Sequence, residues 1–471
     1  MVTELPRTAK TSSSRPSRPM FVFACLALAG LVFAMLQSLI SPALPVIADA
    51  LDTATADVGW LVTAYLLAAA IATPIAGRLG DIFGRRRVLL IVLALLICGT
   101  LIAALSDSLP VLLTGRAIQG CGGAVLPLAF GIVRDELPKE RVGFAIGLLS
   151  SLLGSGAALG SVLAGPIVDQ LSWHWLFWIP LILLLLATAG IVYGVPRSAS
   201  RTPSSIHWTG AILLSAGLVC LLLALSKGAA WGWSSITVLA LFGGAALSLT
   251  AWAVAERRAK EPLVDTRLLV RRGVWTTNTI GLAFGVATFG STLLIPFLLQ
   301  LPVETGYGLG RSVSESGLYL LPATIAMIIF APVSGALHRY FGAKYLLVAG
   351  TGMALTGFTS LALAHATTWQ MLTGVCLMGI GIGLASSAMT NALLAAVPPT
   401  QSSAATSLNA LARTIGGSIG TAALAAVLAA NTTAGVPAEA GFTYGFWICA
   451  GALAAALVSA LVLPADRPRS H

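Results

Sequence analysis

Long apolar runs alternate with short polar connections along nearly the whole chain. Fourteen runs approach the roughly 20 residues needed to cross a bilayer. They cover 21–42, 58–77, 88–106, 110–133, 142–166, 173–195 and 208–226, then 234–255, 274–300, 316–337, 345–364, 369–396, 404–430 and 442–463. The pattern predicts an all-α membrane protein with 14 transmembrane helices. The polar tail 1–20 precedes a run too long for a signal peptide, with no small-residue cleavage site after it. That run is expected to be a retained first span.

Charge tests the count independently. With the N-terminus inside, the inward connections hold Arg78, Arg85, Arg86, Arg87, Arg134, Lys139, Arg141, Arg197, Arg201, Arg257, Arg258, Lys260, Arg339 and Lys344. The outward ones hold only Lys227 and Arg311, with acids such as Asp49, Asp57, Asp107, Glu304 and Glu315. This positive-inside alternation requires an even number of spans and places both termini in the cytoplasm. It also accounts for the net charge of +10 without nucleic acid as a partner. The longest inward connection, 256–273, reads as a cytoplasmic linker lying along the membrane surface.

Composition fits lipid as solvent. Apolar residues make up 57% of the chain and charged residues 9%, against about 25% charged in a soluble domain. The 49 glycines suit close helix packing. Cys25, Cys98, Cys121, Cys220, Cys376 and Cys449 lie within apolar runs and read as buried small side chains, with no metal-ligand spacing. No nucleotide-binding motif is present. Neither a metal nor a cofactor is expected.

The stretch Gly77–Leu89, G-R-L-G-D-I-F-G-R-R-R-V-L, turns the chain from one span into the next. Gly77, Gly80 and Gly84 permit a tight turn and close helix approach. Asp81 is the one acid among Arg78, Arg85, Arg86 and Arg87, and is expected to accept hydrogen bonds from them or from a neighbouring helix N-terminus. Gly335–Tyr345 echoes the stretch, with Gly335 at the offset of Gly77, Arg339 at Asp81, Gly342 at Gly84 and Lys344 at Arg86. An internal repeat of this kind points to a transporter built from two halves.

Arg116 is the first functional candidate, because an arginine inside a span costs several kcal/mol unless it is paired or hydrated. Gln119 shares its face. Arg413 follows Asn409 by four residues in the thirteenth run, and either makes a structural pair or faces an inward vestibule. Gly147, Gly156, Gly160 and Gly165 give the fifth run a small-residue face against which a neighbour can slide. Gln37, Tyr65, Gln119, Asn278, Gln300, Tyr319, Asn391 and Asn409 are the polar residues expected to line a cavity. They are too sparse for a sugar site and suit a bulky, partly apolar solute. No carboxylate falls deep inside a span; Asp57, Glu315 and Asp81 are the nearest groups able to carry a proton.

With these motifs the chain resembles the major facilitator superfamily over nearly its whole length, and its fourteen-span drug:proton antiporter subfamily in particular. Gly77, Asp81, Gly84, Arg85 and Arg86 match the superfamily's cytoplasmic motif; the resemblance implies that this motif gates conformational change. Arg116, Gln119 and Gly120 match the fourth-span motif, whose arginine it links to proton coupling. Gly147, Gly156, Gly160 and Gly165 match the fifth-span motif of exporters, with Ser161 where proline is usual and Ala164 where glycine is usual. In the first span Leu36 stands where close relatives carry aspartate, which shifts the expected substrate toward neutral, zwitterionic or anionic compounds.

The resemblance implies two six-helix bundles, 21–200 and 274–463, two extra helices in 201–255, the linker 256–273 and a cytoplasmic tail 464–471. The implied activity is export of small amphiphilic compounds across the plasma membrane by a monomer, with protons exchanged in return and the proton gradient as energy source. A metabolite importer on the same fold and a non-transporting receptor or scaffold are the competing readings. An enzyme is not expected, since no nucleophile–base set lies within the membrane.

Overall fold

The computed structural model describes residues 19–195, 207–259, 262, 269–433 and 436–464. Most of the linker 256–273 and both tails therefore lie outside the described residues. Among the described residues thirteen helices are long and apolar enough to cross a membrane. Leu321–Leu363, one of the helices within them, contains two crossings, because Gly342 (φ 77°, ψ 165°) bends it. Fourteen crossings result.

The helices are α1 Pro19–Ser38, continued by α2 Ile40–Ala50, then the one-turn α3 Thr55–Val58, α4 Trp60–Phe83 and α5 Arg85–Ala104. The fourth crossing joins α6 Leu109–Gly120 to α7 Val125–Glu136 through the 3-10 turn Cys121–Ala124. Next come α8 Lys139–Gln170, α9 Trp175–Gly194, α10 Trp208–Trp231 and α11 Ile236–Arg258. The second half contains α12 Arg272–Gln300, the short α13 Val313–Tyr319, α14 Leu321–Leu363, α15 Thr368–Ala396, α16 Ser402–Ala430 and α17 Glu439–Val462. A two-residue antiparallel pairing, Thr432–Thr433 with Val436–Pro437, lies between α16 and α17.

Apolar side chains from α1, α4, α5, α7, α8 and α9 form one core, around Phe33, Leu93, Leu128 and Leu184. A second core, around Phe284, Phe358, Met378 and Phe446, joins α12, α14, α15 and α17. Glycines set the helix spacing within each half. A Cβ on Gly156 would lie 2.6 Å from Ala34 Cβ, and one on Gly160 would lie 2.8 Å from the Met35 carbonyl oxygen. Gly165 is half-buried beyond those contacts. The extra helices stand beside these cores: α10 packs on Ala70 of α4 and Leu411 of α16, and α11 packs on α10.

Three expectations need correction. The turn in the Gly77 stretch is made by Gly84 alone (φ 98°), since α4 continues through Gly77 and Gly80 to Phe83. Those two glycines serve close approach instead. Glu256 belongs to the last turn of α11, where it is buried against His207 Nδ1 at 3.2 Å, rather than to a surface linker. The cysteines are all free but not all buried: Cys98 is exposed, and Cys121, Cys220 and Cys376 are half-buried.

Candidate functional site

Asp81 lies in the last turn of α4 and is almost fully buried. Its Oδ1 accepts from Arg85 Nη2 at 2.9 Å and Nε at 3.1 Å. Its Oδ2 accepts from the backbone N–H of Ala404 at 3.0 Å, and Oδ1 lies 3.4 Å from that of Ser403. Those N–H groups belong to the first turn of α16, where they have no partner within the helix and the helix dipole favours a negative charge. A carboxylate from the first half thus caps a helix of the second.

Arg85, also buried, extends the joint. It donates to Asp135 Oδ2 at 2.6 Å, to the Gly131 carbonyl at 3.2 Å, to Ser403 Oγ at 3.0 Å and to the Pro399 carbonyl. Arg134 Nη1 donates to Ser402 Oγ at 2.6 Å. Arg86 turns away and donates to the Val192 carbonyl of α9 at 2.8 Å. Sequence reading missed Asp135, Ser402, Ser403 and Pro399. An acid beside arginine in a basic inward connection was a signal for Asp135; the serines carried none.

Steric closure completes the seam. A Cβ on Gly77 would lie 2.9 Å from the Ser403 carbonyl oxygen. In the second half, Gly335 of α14 meets Gly143 of α8, and a Cβ on Gly335 would lie 2.7 Å from the Gly143 carbonyl carbon. Gly84 and Gly342, at the repeat's shared offset, both have positive φ. The two elbows are related in position and backbone, and each presses a glycine onto the opposite half. Only one carries a carboxylate: Arg339, at the offset of Asp81, lies over the Tyr340 ring at 4.5 Å. Gly335→Val should wedge the seam, since the atoms it meets are backbone and cannot rotate away. Its expected effect is at least a tenfold fall in transport with retained expression and unchanged elution of the purified protein. Transport within twofold of wild type would show that the contact does not set the helix spacing.

Farther into the membrane, Arg116 of α6 is fully buried. Its Nε donates to the Leu61 carbonyl of α4 at 3.2 Å, and Nη1 to the Leu36 carbonyl of α1 at 3.2 Å and to Gln119 Oε1 at 2.8 Å. Gln119 Nε2 continues to Thr100 Oγ1 of α5 at 3.0 Å. The guanidinium carbon lies 4.4 Å from the centre of the Tyr65 ring. Among the described residues Arg116 Nη2 and the Tyr65 hydroxyl have no hydrogen-bond partner. The cluster joins four helices through one cation held by carbonyl and ring electron density, with no carboxylate of the described residues within ion-pair distance. A guanidinium suits this task because its planar fork reaches several acceptors at once.

The other polar candidates separate by depth. Asn409 Nδ2 donates to the Thr277 carbonyl at 2.9 Å and to Asn278 Oδ1 at 3.2 Å, bringing those two amides together between α12 and α16. Gln37 is half-buried at the end of α1. Asn391 is buried near the cytoplasmic end of α15 and donates to the Ser387 carbonyl at 3.0 Å.

Two cavity candidates lie elsewhere than expected, while two proton candidates lie at outward helix starts, as the sequence places them. Gln300 is exposed and donates to Ser316 Oγ at 3.1 Å; Tyr319 lies 3.4 Å from Thr368 Oγ1. Both hold the outward ends of helices together. Glu315 is exposed and caps α13, its Oε2 accepting from the Ser312 N–H at 2.9 Å. Asp57 is exposed in α3.

The geometry defines a class: a helical membrane protein of two glycine-packed halves, closed across the cytoplasmic side, with arginine inside its spans. The chain belongs to the Major Facilitator Superfamily, whose family model matches residues 26–421 and 280–471. It is a multi-pass membrane transporter and not an enzyme. The tetracenomycin C resistance and export protein of Streptomyces glaucescens is 30% identical over 417 residues, covering 88% of this chain and 76% of that protein. The multidrug transporter protein MdtP of Bacillus subtilis is 30% identical over 406 residues, covering 84% and 73%. The lincomycin resistance protein LmrB of Listeria monocytogenes is 28% identical, covering 86% and 85%. Among solved structures, the proton:xylose symporter XylE superposes with a TM-score of 0.64 at 17% identity, covering 93% of this chain and 94% of that one. This last likeness is one of fold.

Proposed function

We propose that this chain exports small amphiphilic compounds across the plasma membrane by alternating access, as a single chain, in exchange for protons. The observation that carries the reading is the joint in which Asp81 of one half accepts from the first turn of α16 in the other. Such a joint closes the cytoplasmic side in one state and must break in the other. The names of the relatives support export of drugs and antibiotics. Asp81 supplies a buried carboxylate whose surroundings change when the joint opens, which suits a proton carrier.

The test is substrate-dependent proton flux in liposomes containing the purified protein and a pH-sensitive dye. Lipophilic cations, neutral antibiotics and organic anions are supplied in turn. Proton movement with one class, abolished by Arg116→Ala, is the expected result. Substrate movement without proton movement would remove antiport and leave export in place.

A further inference from the structure

Arg413 is a cation near mid-membrane with no counter-ion among the described residues. It lies about 16 Å of helix rise above Ser402, roughly half the ~30 Å hydrocarbon core. Thr406, two turns below it on the same face, lies with Oγ1 3.5 Å from the Pro127 carbonyl of the first half. Asn409, one turn below, faces α12 and Met389 of α15. Arg413 therefore lies along the α12-facing side of α16, two turns above the point where Thr406 reaches the opposite half. Gly281 leaves room for its stem, since a Cβ there would lie 3.4 Å from Arg413 Cγ. The residue is half-buried, and its side chain makes no hydrogen bond or ion pair among the described residues.

The surrounding charge has one sign. Helices α12, α15 and α16 contain no acidic residue. In the opposite half, α1 and α6 contain none, α4 contains only Asp81, and α7 only Asp135 and Glu136, all at the cytoplasmic end. Arg116, a second cation nearer the outward ends of the helices, has neutral partners only. Two positive charges in a poorly screened interior with no acid between them attract an anion and repel a cation.

We propose that the transported compounds are organic anions, amphiphiles bearing a carboxylate or an ionised phenol, and that Arg413 holds their charge. Its guanidinium offers a planar pair of N–H donors that matches a carboxylate. The Asn278 and Asn409 amides lie beside it, and Phe289, packed on Gly417 one turn farther out, gives the apolar part of the ligand a surface. The inference rests on the export reading and adds the sign of the substrate's charge. It also fixes the electrical character of exchange. Sending an anion out while a proton enters moves charge in one sense twice, so an inside-negative potential drives it. One-for-one exchange of a monovalent cation with a proton moves no net charge.

The test compares uptake of nalidixate, an anionic carboxylate, with neutral chloramphenicol and cationic tetraphenylphosphonium into proteoliposomes with inside-out protein. Wild type should accumulate nalidixate in preference to the other two, faster when a potassium–valinomycin potential makes the lumen positive. Arg413→Gln should lower the initial nalidixate rate at least tenfold, and Arg413→Lys, which keeps the charge but not the fork, should restore part of it. The lysine variant also identifies a glutamine variant that merely misfolds, as does elution of each protein from a sizing column. Preference for tetraphenylphosphonium or chloramphenicol, or a nalidixate rate unchanged in Arg413→Gln, would overturn the anion assignment while leaving export standing. Transport of none of the three would overturn both.

Discussion

Asp81→Asn is expected to open the cytoplasmic side of the transporter. The amide keeps the shape of the carboxylate but offers only one acceptor, and its NH2 would face the N–H donors of Ser403 and Ala404 or the Arg85 guanidinium. Hydrogen bonds to a charged group contribute about 1.5–3 kcal/mol each. Losing one such bond shifts the equilibrium between closed and open cytoplasmic sides by roughly 10- to 150-fold on that scale. Arg85 keeps Asp135 as a counter-ion, so the fold should survive. Spin labels at the exposed positions Arg141 and Arg339, in a background without the accessible native cysteines, would report the spacing of the two halves. The expected result is a second, longer distance population and a fall in transport of tenfold or more. A distance distribution identical to wild type would show that the joint seen between α4 and α16 does not govern the closed state.

Arg116→Lys is expected to abolish transport while preserving charge. The guanidinium reaches Leu61, Leu36 and Gln119, on three helices, from one planar group. A lysine ammonium is a point charge and cannot span those acceptors in the same geometry. Two carbonyls and an amide would be left unpaired in a dry interior, at about 1–3 kcal/mol each. Initial rates should fall at least a hundredfold, on the arithmetic that 1.4 kcal/mol is tenfold. Near-normal rates would mean that positive charge alone suffices at this position and that the junction of α1, α4 and α6 is incidental. Gln119→Leu offers an internal comparison, because it removes one acceptor and leaves both carbonyl contacts.

The spans could be read from sequence because lipid imposes a length and a polarity that leave few alternatives. The elbow at Gly84 and its counterpart at Gly342 were also visible, since only glycine takes positive φ without strain. What the sequence concealed was reach. Asp81 and Ser403 are 322 positions apart, and nothing local in S-S-A-A-T says that its backbone receives a carboxylate. Depth at the outward ends was concealed as well. Gln300 and Tyr319 fall in apolar runs, yet α12 ends at Gln300 and α13 breaks at Leu320, so both side chains bond across a rim. His207 and Glu256 lie 49 positions apart at the ends of two different runs, and only the pairing of α10 with α11 brings them together.

The placement of α10 has a mechanical consequence. It packs on α4 of one half and α16 of the other, beside the seam between them, and its partner α11 is largely exposed on the outside of the bundle. If the halves rock as proposed, one face of α10 slips during each cycle while the other stays attached. Whichever half it follows drags α11 through the bilayer like an oar. Membrane viscosity and lateral tension would then load the turnover of this protein, and a stiffer membrane would slow the stroke even with every contact in the binding cleft unchanged.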